Sequence, residues 1–136
     1  MKTPLKGVFN GAFDTVDNIK ISPFSRAYTF SDSVYEVVPF FNSTAIAFDD
    51  HIKRLEFSAS QLAMAVDLKE VIFEINSLIT SSEFSNGYVY YQVTRGVDPL
   101  RSHIHEPNLK TETFGYAKAH LFQWKPLRVS VCDDIR

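Results

Sequence analysis

Two helix patterns follow each other directly in the middle of the chain, with strand patterns before and after them. Apolar residues recur at helical spacing over residues 50–65, which predicts an amphipathic helix. Asp49 and Asp50 are the expected N-cap residues of this helix. Asp67 and Glu70 have the spacing of a capping box, which predicts that a second helix begins there. The apolar positions that we expect to be buried are Ile52, Leu55, Ala59 and Leu62 in the first helix and Leu68, Val71, Ile75 and Leu78 in the second.

Segments rich in β-branched and aromatic residues lie on both sides of the helix pair, as is typical of strands. Asn10-Gly11 between apolar neighbours predicts a β-hairpin, because both turn residues need a positive φ. Asn42-Ser43 is the expected turn between two further strands. The predicted strands after the first hairpin are residues 33–41, 44–48, 88–94, 113–117 and 127–132. This order of elements predicts an α+β fold, with a mostly antiparallel sheet and two helices packed on one face.

The size and charge of the chain limit the classes of function. A chain of 136 residues is expected to form one domain, or one domain and a piece of another. The formal net charge of −2 argues against binding to nucleic-acid phosphates and against a polybasic membrane patch. The longest charge-free hydrophobic run, residues 37–48, is too short to span a bilayer, and residues 1–7 have no apolar signal-peptide core. Because the single cysteine, Cys132, also fits a reducing compartment, we expect a cytoplasmic protein.

Polar side chains at two places form candidate binding sites. His51 and Arg54 lie three residues apart on the first helix and share a face. This pair is either a solvated flank or an anion site, because the planar fork of arginine suits phosphate or carboxylate. Arg101 and His103 lie two residues apart in a polar loop, where they either face solvent or converge on one carboxylate. Tyr35 lies in a predicted strand, and by itself it indicates packing.

The sequence contains no motif for a metal site or for a nucleotide-phosphate loop. His103 and His105 supply two of the ligands that zinc needs, but no third ligand motif accompanies them, so no metal is predicted. The chain contains no GxGxxG, GxxxxGK or GxSxG sequence. The residue patterns alone therefore predict a cytosolic α+β domain with an anion-binding corner.

Four segments, in order along the chain, resemble one family of enzymes. Residues 26–38, RAYTFSDSVYEVV, are similar to the R-G-Y-x-F-G-D-G-V-Y-E-V-V segment of D-amino-acid aminotransferases. Residues 51–55, HIKRL, resemble the H-I-D-R-L of that family, and residues 90–96, YYQVTRG, resemble its Y-F-Q-V-T-R-G. Residues 133–136, DDIR, resemble the E-D-I-R that opens its large domain. These enzymes belong to the fold-type IV pyridoxal-phosphate superfamily, together with branched-chain aminotransferases and aminodeoxychorismate lyases.

The resemblance implies a role for each candidate residue. Arg54 corresponds to the arginine that binds the phosphate of pyridoxal 5′-phosphate, and His51 to a supporting histidine beside it. Tyr35 corresponds to the tyrosine that faces the substrate and helps to hold its carboxylate. Arg101 and His103 correspond to the Arg-x-His carboxylate trap, which in this family reaches the active site of the partner subunit and so implies a homodimer. The implied reaction transfers the amino group of a D-amino acid such as D-alanine to a 2-oxo acid.

The resemblance also implies a domain organisation. The Schiff-base lysine of the family follows the D-I-R motif, so it is expected beyond Arg136, and no residue of this chain is predicted to be catalytic. Residues 1–119 then correspond to the small N-terminal α+β domain, and residues 120–136 to a linker and the first strand of a truncated large cofactor-binding domain. We expect the 136-residue chain by itself to be inactive. The loop at residues 98–103, DPLRSH, is one residue longer than the Ser/Thr-Pro-Arg-x-His of the family.

Two alternatives to a D-amino-acid aminotransferase are open. The first is a branched-chain aminotransferase or an aminodeoxychorismate lyase of the same superfamily, and the spacing of Arg101 and His103 argues against both. The second is a non-catalytic α+β binding module. The absence of the Schiff-base lysine from these 136 residues supports the second alternative for this chain.

Overall fold

A computed structural model describes residues 4–123 and 125–133 as a six-stranded sheet with two long helices. All paired strands are antiparallel, and their order across the sheet is β2-β1-β6-β5-β3-β4. The predicted α+β fold class is therefore confirmed. The strands are β1 (Lys6–Phe9), β2 (Ala12–Thr15), β3 (Ser33–Phe41), β4 (Thr44–Ala45), β5 (Gly87–Thr94) and β6 (Glu112–Ala119). The helices are α1 (Arg26–Phe30), α2 (Phe48–Gln61) and α3 (Leu68–Thr80), with a 3-10 helix at Val16–Asn18.

Two tight turns set the local course of the chain. Asn10 and Gly11 have φ values of 48° and 81°, so the predicted hairpin between β1 and β2 is confirmed. Asn42 and Ser43 also have positive φ and join β3 to β4. The return strand β4 is shorter than predicted, because Ala47 adopts the left-handed conformation and α2 begins at Phe48. The predicted N-cap was wrong for the same reason, since Asp49 and Asp50 lie inside the first turn.

The core lies between the two long helices and one face of the sheet. Helix α2 packs on β3, and α3 packs on β1, β5 and β6. Asp67 caps α3 as predicted, because its side chain accepts hydrogen bonds from the backbone N–H groups of Lys69 and Glu70. Leu62 was predicted to be buried but is 40% exposed, because α2 ends one residue before it, and Leu68 is only half-buried. The buried apolar side chains of the helices are Ile52, Leu55, Ala59, Val71, Ile75, Leu78 and Ile79.

Two predictions about the end of the chain have different outcomes. Residues 127–132 were predicted to form a strand, but they form none, because a strand exists only by pairing and no described residue pairs with them. The division into a domain of residues 1–119 and a following segment of residues 120–136 stays a prediction. Most of the motif at residues 133–136 lies outside the described residues. No described helix has the length and apolar character needed to cross a bilayer.

The core also contains a carboxylic acid, Glu74 of α3, which is fully buried. It accepts a hydrogen bond from the Tyr91 hydroxyl and a longer one, 3.5 Å, from Thr113 Oγ1. Burial raises the pKa of Glu74 above its ordinary value of 4.5, and these hydrogen bonds oppose that rise only in part. Burial likewise raises the pKa of Tyr91, and its bond to Glu74 adds to the rise.

We expect Glu74 to make the chain less stable as pH rises. The folded state holds the Glu74 proton at pH values where the unfolded chain has released it, so the free energy of unfolding falls as pH rises above about 4.5. Glu74→Gln keeps the size of the side chain and removes the titration, and it should flatten this part of the profile. Urea unfolding of both chains at about pH 5 and about pH 8 measures the difference. Parallel profiles for the two chains would contradict the raised pKa.

Candidate functional site

Strand β3 directs two adjacent side chains, those of Tyr35 and Glu36, to opposite faces of the sheet. Its side chains alternate between the two faces of the sheet. Glu36 is 5% exposed and points toward α2, whereas Tyr35 points to the opposite, open face and is 61% exposed. The strand therefore presents a buried carboxylate to the helix and a tyrosine ring to the open face.

Helix α2 supplies two partners for the buried carboxylate. Arg54 donates from Nε to Oε1 and from Nη2 to Oε2 of Glu36, both at 2.6 Å. His51 Nδ1 lies 2.8 Å from Glu36 Oε2 and 3.2 Å from Arg54 Nη2. We call these three residues the Glu36 cluster. His51 and Arg54 are therefore hydrogen-bonded to a buried carboxylate and do not face only solvent. Glu36 was not predicted as part of the site, because it lies 18 residues from Arg54 on a different element, and the sequence showed only that it points to the face of β3 opposite Tyr35.

The Glu36 cluster leaves one edge of the Arg54 guanidinium exposed. The Arg54 side chain is 64% exposed, and Nη1 makes no hydrogen bond to any residue that the structure describes. Burial alone would raise the pKa of Glu36, but the hydrogen bonds and charges of Arg54 and His51 outweigh it and lower that pKa. Glu36 in turn raises the pKa of Arg54. A charged guanidinium with a fixed inner edge and an open outer edge fits a phosphate group.

Arg101 and His103 meet at one aromatic ring, that of Phe30 at the end of α1. The guanidinium carbon of Arg101 lies 4.8 Å from the centroid of this ring, and that of Arg26 lies 4.3 Å from it. The His103 ring makes a T-shaped contact with Phe30, with 5.5 Å between centroids. We call these four residues the Phe30 cluster. The structure thus brings Arg101 and His103 together on one small surface.

A buried ion network lies beneath the Phe30 cluster. Arg26 donates to Asp32 at 2.9 Å, to Asp98 at 3.3 Å and to the Ser102 carbonyl at 2.9 Å. Arg95 donates to both carboxylate oxygens of Asp32, at 2.6 Å and 3.0 Å. Burial alone would raise the pKa of Asp32, but the two arginines outweigh it and lower that pKa. This network was not predicted, because the bonds that join its two halves link residues that are 63 and 72 positions apart in sequence, and its members share no periodic pattern.

The open face of the sheet carries a row of stacked tyrosines that includes Tyr35. The Tyr35 ring stacks on Tyr90, and Tyr90 stacks on Tyr116, with 5.5 Å between centroids in both pairs. Tyr90 donates its hydroxyl proton to Gln92 Oε1 at 2.7 Å. Tyr35 is therefore part of a continuous aromatic surface formed by β3, β5 and β6.

The structure does not join all the predicted site residues into one cluster. Among the described residues, no hydrogen bond, ion pair or ring contact connects the Glu36 cluster with the Phe30 cluster or with Tyr35. The described residues also contain no group of three or more acidic, histidine or cysteine side chains that could hold a metal ion. The roles of Tyr35, His51, Arg54, Arg101 and His103 stay predictions.

Comparison with known proteins places this fold in a class. Residues 33–134 match the family described as amino-transferase class IV. The branched-chain amino acid aminotransferase of Escherichia coli superimposes with a TM-score of 0.78 at 18% identity, over 87% of this chain and 42% of that one. The 4-amino-4-deoxychorismate lyase of Pseudomonas aeruginosa superimposes with a TM-score of 0.71 at 18% identity, over 83% and 39% of the two chains. The fold is that of the N-terminal domain of fold-type IV aminotransferases.

The chain belongs to the class IV amino-transferase family. A curated relative, the D-alanine aminotransferase of Staphylococcus haemolyticus, is 30% identical over 117 residues, which are 85% of this chain. The chain spans 42% of the length of that relative. The resemblance to this family that the four sequence segments indicated is therefore confirmed.

Proposed function

We propose that the protein containing this chain is a pyridoxal 5′-phosphate-dependent aminotransferase that transfers the amino group of a D-amino acid, such as D-alanine, to a 2-oxo acid. The observation that supports this most directly is the Arg54 guanidinium, whose inner edge is bound by the buried Glu36 and whose outer edge is exposed. The similarity to a D-alanine aminotransferase favours a D-amino acid as the substrate.

Each residue of the proposed site has a distinct task. Arg54 binds the phosphate of the cofactor through its open edge, and Glu36 and His51 hold its guanidinium in place. Arg101 and His103 bind the substrate carboxylate with cationic or N–H donors. Tyr35 faces the substrate from the open side of β3. When bound, pyridoxal phosphate supplies the electron sink for the transfer.

The proposal extends to the parts of the enzyme outside this chain. In this proposal the lysine that binds the cofactor is expected beyond Arg136, and the chain spans 42% of the length of its relative from Staphylococcus haemolyticus. The protein acts as a homodimer in which Arg101 and His103 serve the site of the other subunit. Among the described residues no hydrogen bond, ion pair or ring contact joins the Phe30 cluster to the Glu36 cluster, as expected if the two clusters serve different sites. Residues 1–119 form the small domain, and residues 120–136 lead into the large one.

A substrate comparison tests the proposed reaction. We expect the full-length protein with pyridoxal phosphate to form pyruvate from D-alanine and 2-oxoglutarate, together with D-glutamate. L-leucine should react much more slowly, because an active site arranged for one enantiomer places the Cα proton of the other on the wrong side. Product formation is followed by chiral chromatography of the amino acids.

Three results would contradict the proposed reaction. Faster turnover of L-leucine would indicate a branched-chain aminotransferase. Release of pyruvate from 4-amino-4-deoxychorismate without any 2-oxo acid would indicate a lyase. A full-length protein that bound no pyridoxal phosphate would indicate a non-catalytic binding module.

A further inference from the structure

The loop that contains Arg101 is attached to α1 at its base. The Arg26 N–H donates to the Gly96 carbonyl at 2.8 Å, and the Asp98 N–H donates to the Phe24 carbonyl at 3.1 Å. Arg26, itself 4% exposed, donates from its side chain to the Asp98 carboxylate and to the Ser102 carbonyl. The loop is therefore fixed on both sides of Arg101.

The neighbours of Arg101 in sequence are themselves held. The Leu100 N–H donates to Asp98 Oδ1 at 3.2 Å, and the Ser102 carbonyl accepts from Arg26 at 2.9 Å. The backbone of Arg101 lies between these two fixed groups. Its side chain then extends over the Phe30 ring, where the ring face attracts the guanidinium charge. A long and exposed side chain is thereby held near one position.

The buried ion network is balanced without the help of Arg101. Two arginines, Arg26 and Arg95, are paired with two aspartates, Asp32 and Asp98. Within the described part of the chain, Arg101 makes no ion pair. Its charge therefore remains available to an incoming carboxylate.

We propose that Phe30 is a positioning residue that holds Arg101 and His103 ready for the substrate carboxylate, and that Arg26 secures the loop beneath them. This inference rests on the proposed function, in which that pair binds the carboxylate. Immobilising a flexible side chain costs conformational entropy on binding, and a ring that already holds it reduces this cost. Phe30 then acts on substrate affinity without touching the substrate.

A matched pair of substitutions tests this role in the full-length holoenzyme. Phe30→Leu keeps an apolar side chain but removes the ring, whereas Phe30→Tyr keeps the ring. We expect Phe30→Leu to raise KM for D-alanine about two- to fivefold, the range of an exposed cation–π contact, with a smaller change in kcat. Phe30→Tyr should have a KM close to that of the wild type, because it keeps the ring. The dissociation constant of the cofactor should not change in either variant. KM is also measured for Arg101→Ala and for the double variant Phe30→Leu/Arg101→Ala. The increases in KM caused by the two single substitutions should not add in the double variant.

A spectroscopic measurement on the 136-residue chain tests the positioning without any catalysis. The Phe30 ring lies 5.5 Å from the His103 ring, so its ring current shifts the His103 proton signals. The chemical shifts of these signals should change in Phe30→Leu and should lie close to the wild-type values in Phe30→Tyr. His105, whose Nδ1 lies 2.8 Å from the Glu106 carbonyl, makes no ring contact with a described residue and serves as the internal reference.

The outcomes separate this inference from the proposed function. If Arg101→Ala raises KM but a folded Phe30→Leu variant does not, the positioning role is wrong and the proposed function stands. If Arg101→Ala leaves KM unchanged, the carboxylate role itself is wrong. Equal KM values in Phe30→Leu and Phe30→Tyr would also contradict the role of the ring. If Phe30→Leu does not fold, Asp98→Asn weakens the loop anchor with Phe30 in place, and an unchanged KM with unmoved His103 signals would then overturn the inference.

Discussion

Replacing Arg54 by alanine is expected to weaken the binding of pyridoxal phosphate by at least about two decades. Its guanidinium is held by the buried Glu36 through Nε and Nη2, which leaves Nη1 with two N–H donors for the phosphate. A hydrogen bond to a charged group contributes about 1.5–3 kcal/mol, so the loss of two such bonds corresponds to about two to four decades in the dissociation constant. Arg54→Lys should weaken binding less, because an ammonium keeps a point charge for the phosphate although it loses the planar fork.

Cofactor titration of the full-length protein, followed by absorbance and by calorimetry, measures this difference. Lys53→Ala is the matched control, because Lys53 is an exposed cation one residue away on the same helix. Its loss lowers the net charge equally but should leave the dissociation constant within about threefold, as is typical of an exposed and screened charge. Equal cofactor affinity in the wild type and in Arg54→Ala would remove Arg54 from the site.

Those parts of the fold that depend on local signals could be predicted from the sequence. The Asn10-Gly11 turn and the Asp67 cap depend on residues next to each other in the chain, and both are where the sequence indicates them. Helix α1 was not predicted, because its five residues are too few for an apolar period to be recognised. Residues 127–132 show the reverse case, in which a strand pattern is present but no described segment pairs with it.

Those parts of the site that depend on partners could not be predicted. Arg54 was a candidate anion-binding residue in the sequence, but its anchor Glu36 lies on a different element, and only the packing of α2 on β3 brings them together. Phe30 has no polar group that would mark it as a site residue in the sequence, yet Arg101 and His103 both contact its ring. Sequence patterns assign a residue to a face of its own element, whereas contacts between elements follow from the tertiary fold.

Truncation of Arg101 to alanine should lower kcat/KM for D-alanine by about one to two decades. The loss corresponds to one charge-assisted hydrogen bond to the substrate carboxylate, worth about 1.5–3 kcal/mol. The dissociation constant of pyridoxal phosphate should stay nearly constant, because Arg101 lies in the Phe30 cluster and not in the Glu36 cluster. Steady-state kinetics and a cofactor titration of the same preparation measure both quantities.

A substrate without a carboxylate shows whether the effect of Arg101→Ala is specific. Isopropylamine has a methyl group where alanine has its carboxylate, so its turnover should change little in the variant. His105→Ala is the matched control within the same loop, because no ring contact joins His105 to Phe30. If Arg101→Ala instead released the cofactor, or slowed the amine and the amino acid equally, Arg101 would not act on the carboxylate. The branched-chain and lyase alternatives, against which the Arg101 and His103 pair argues, would then be favoured again.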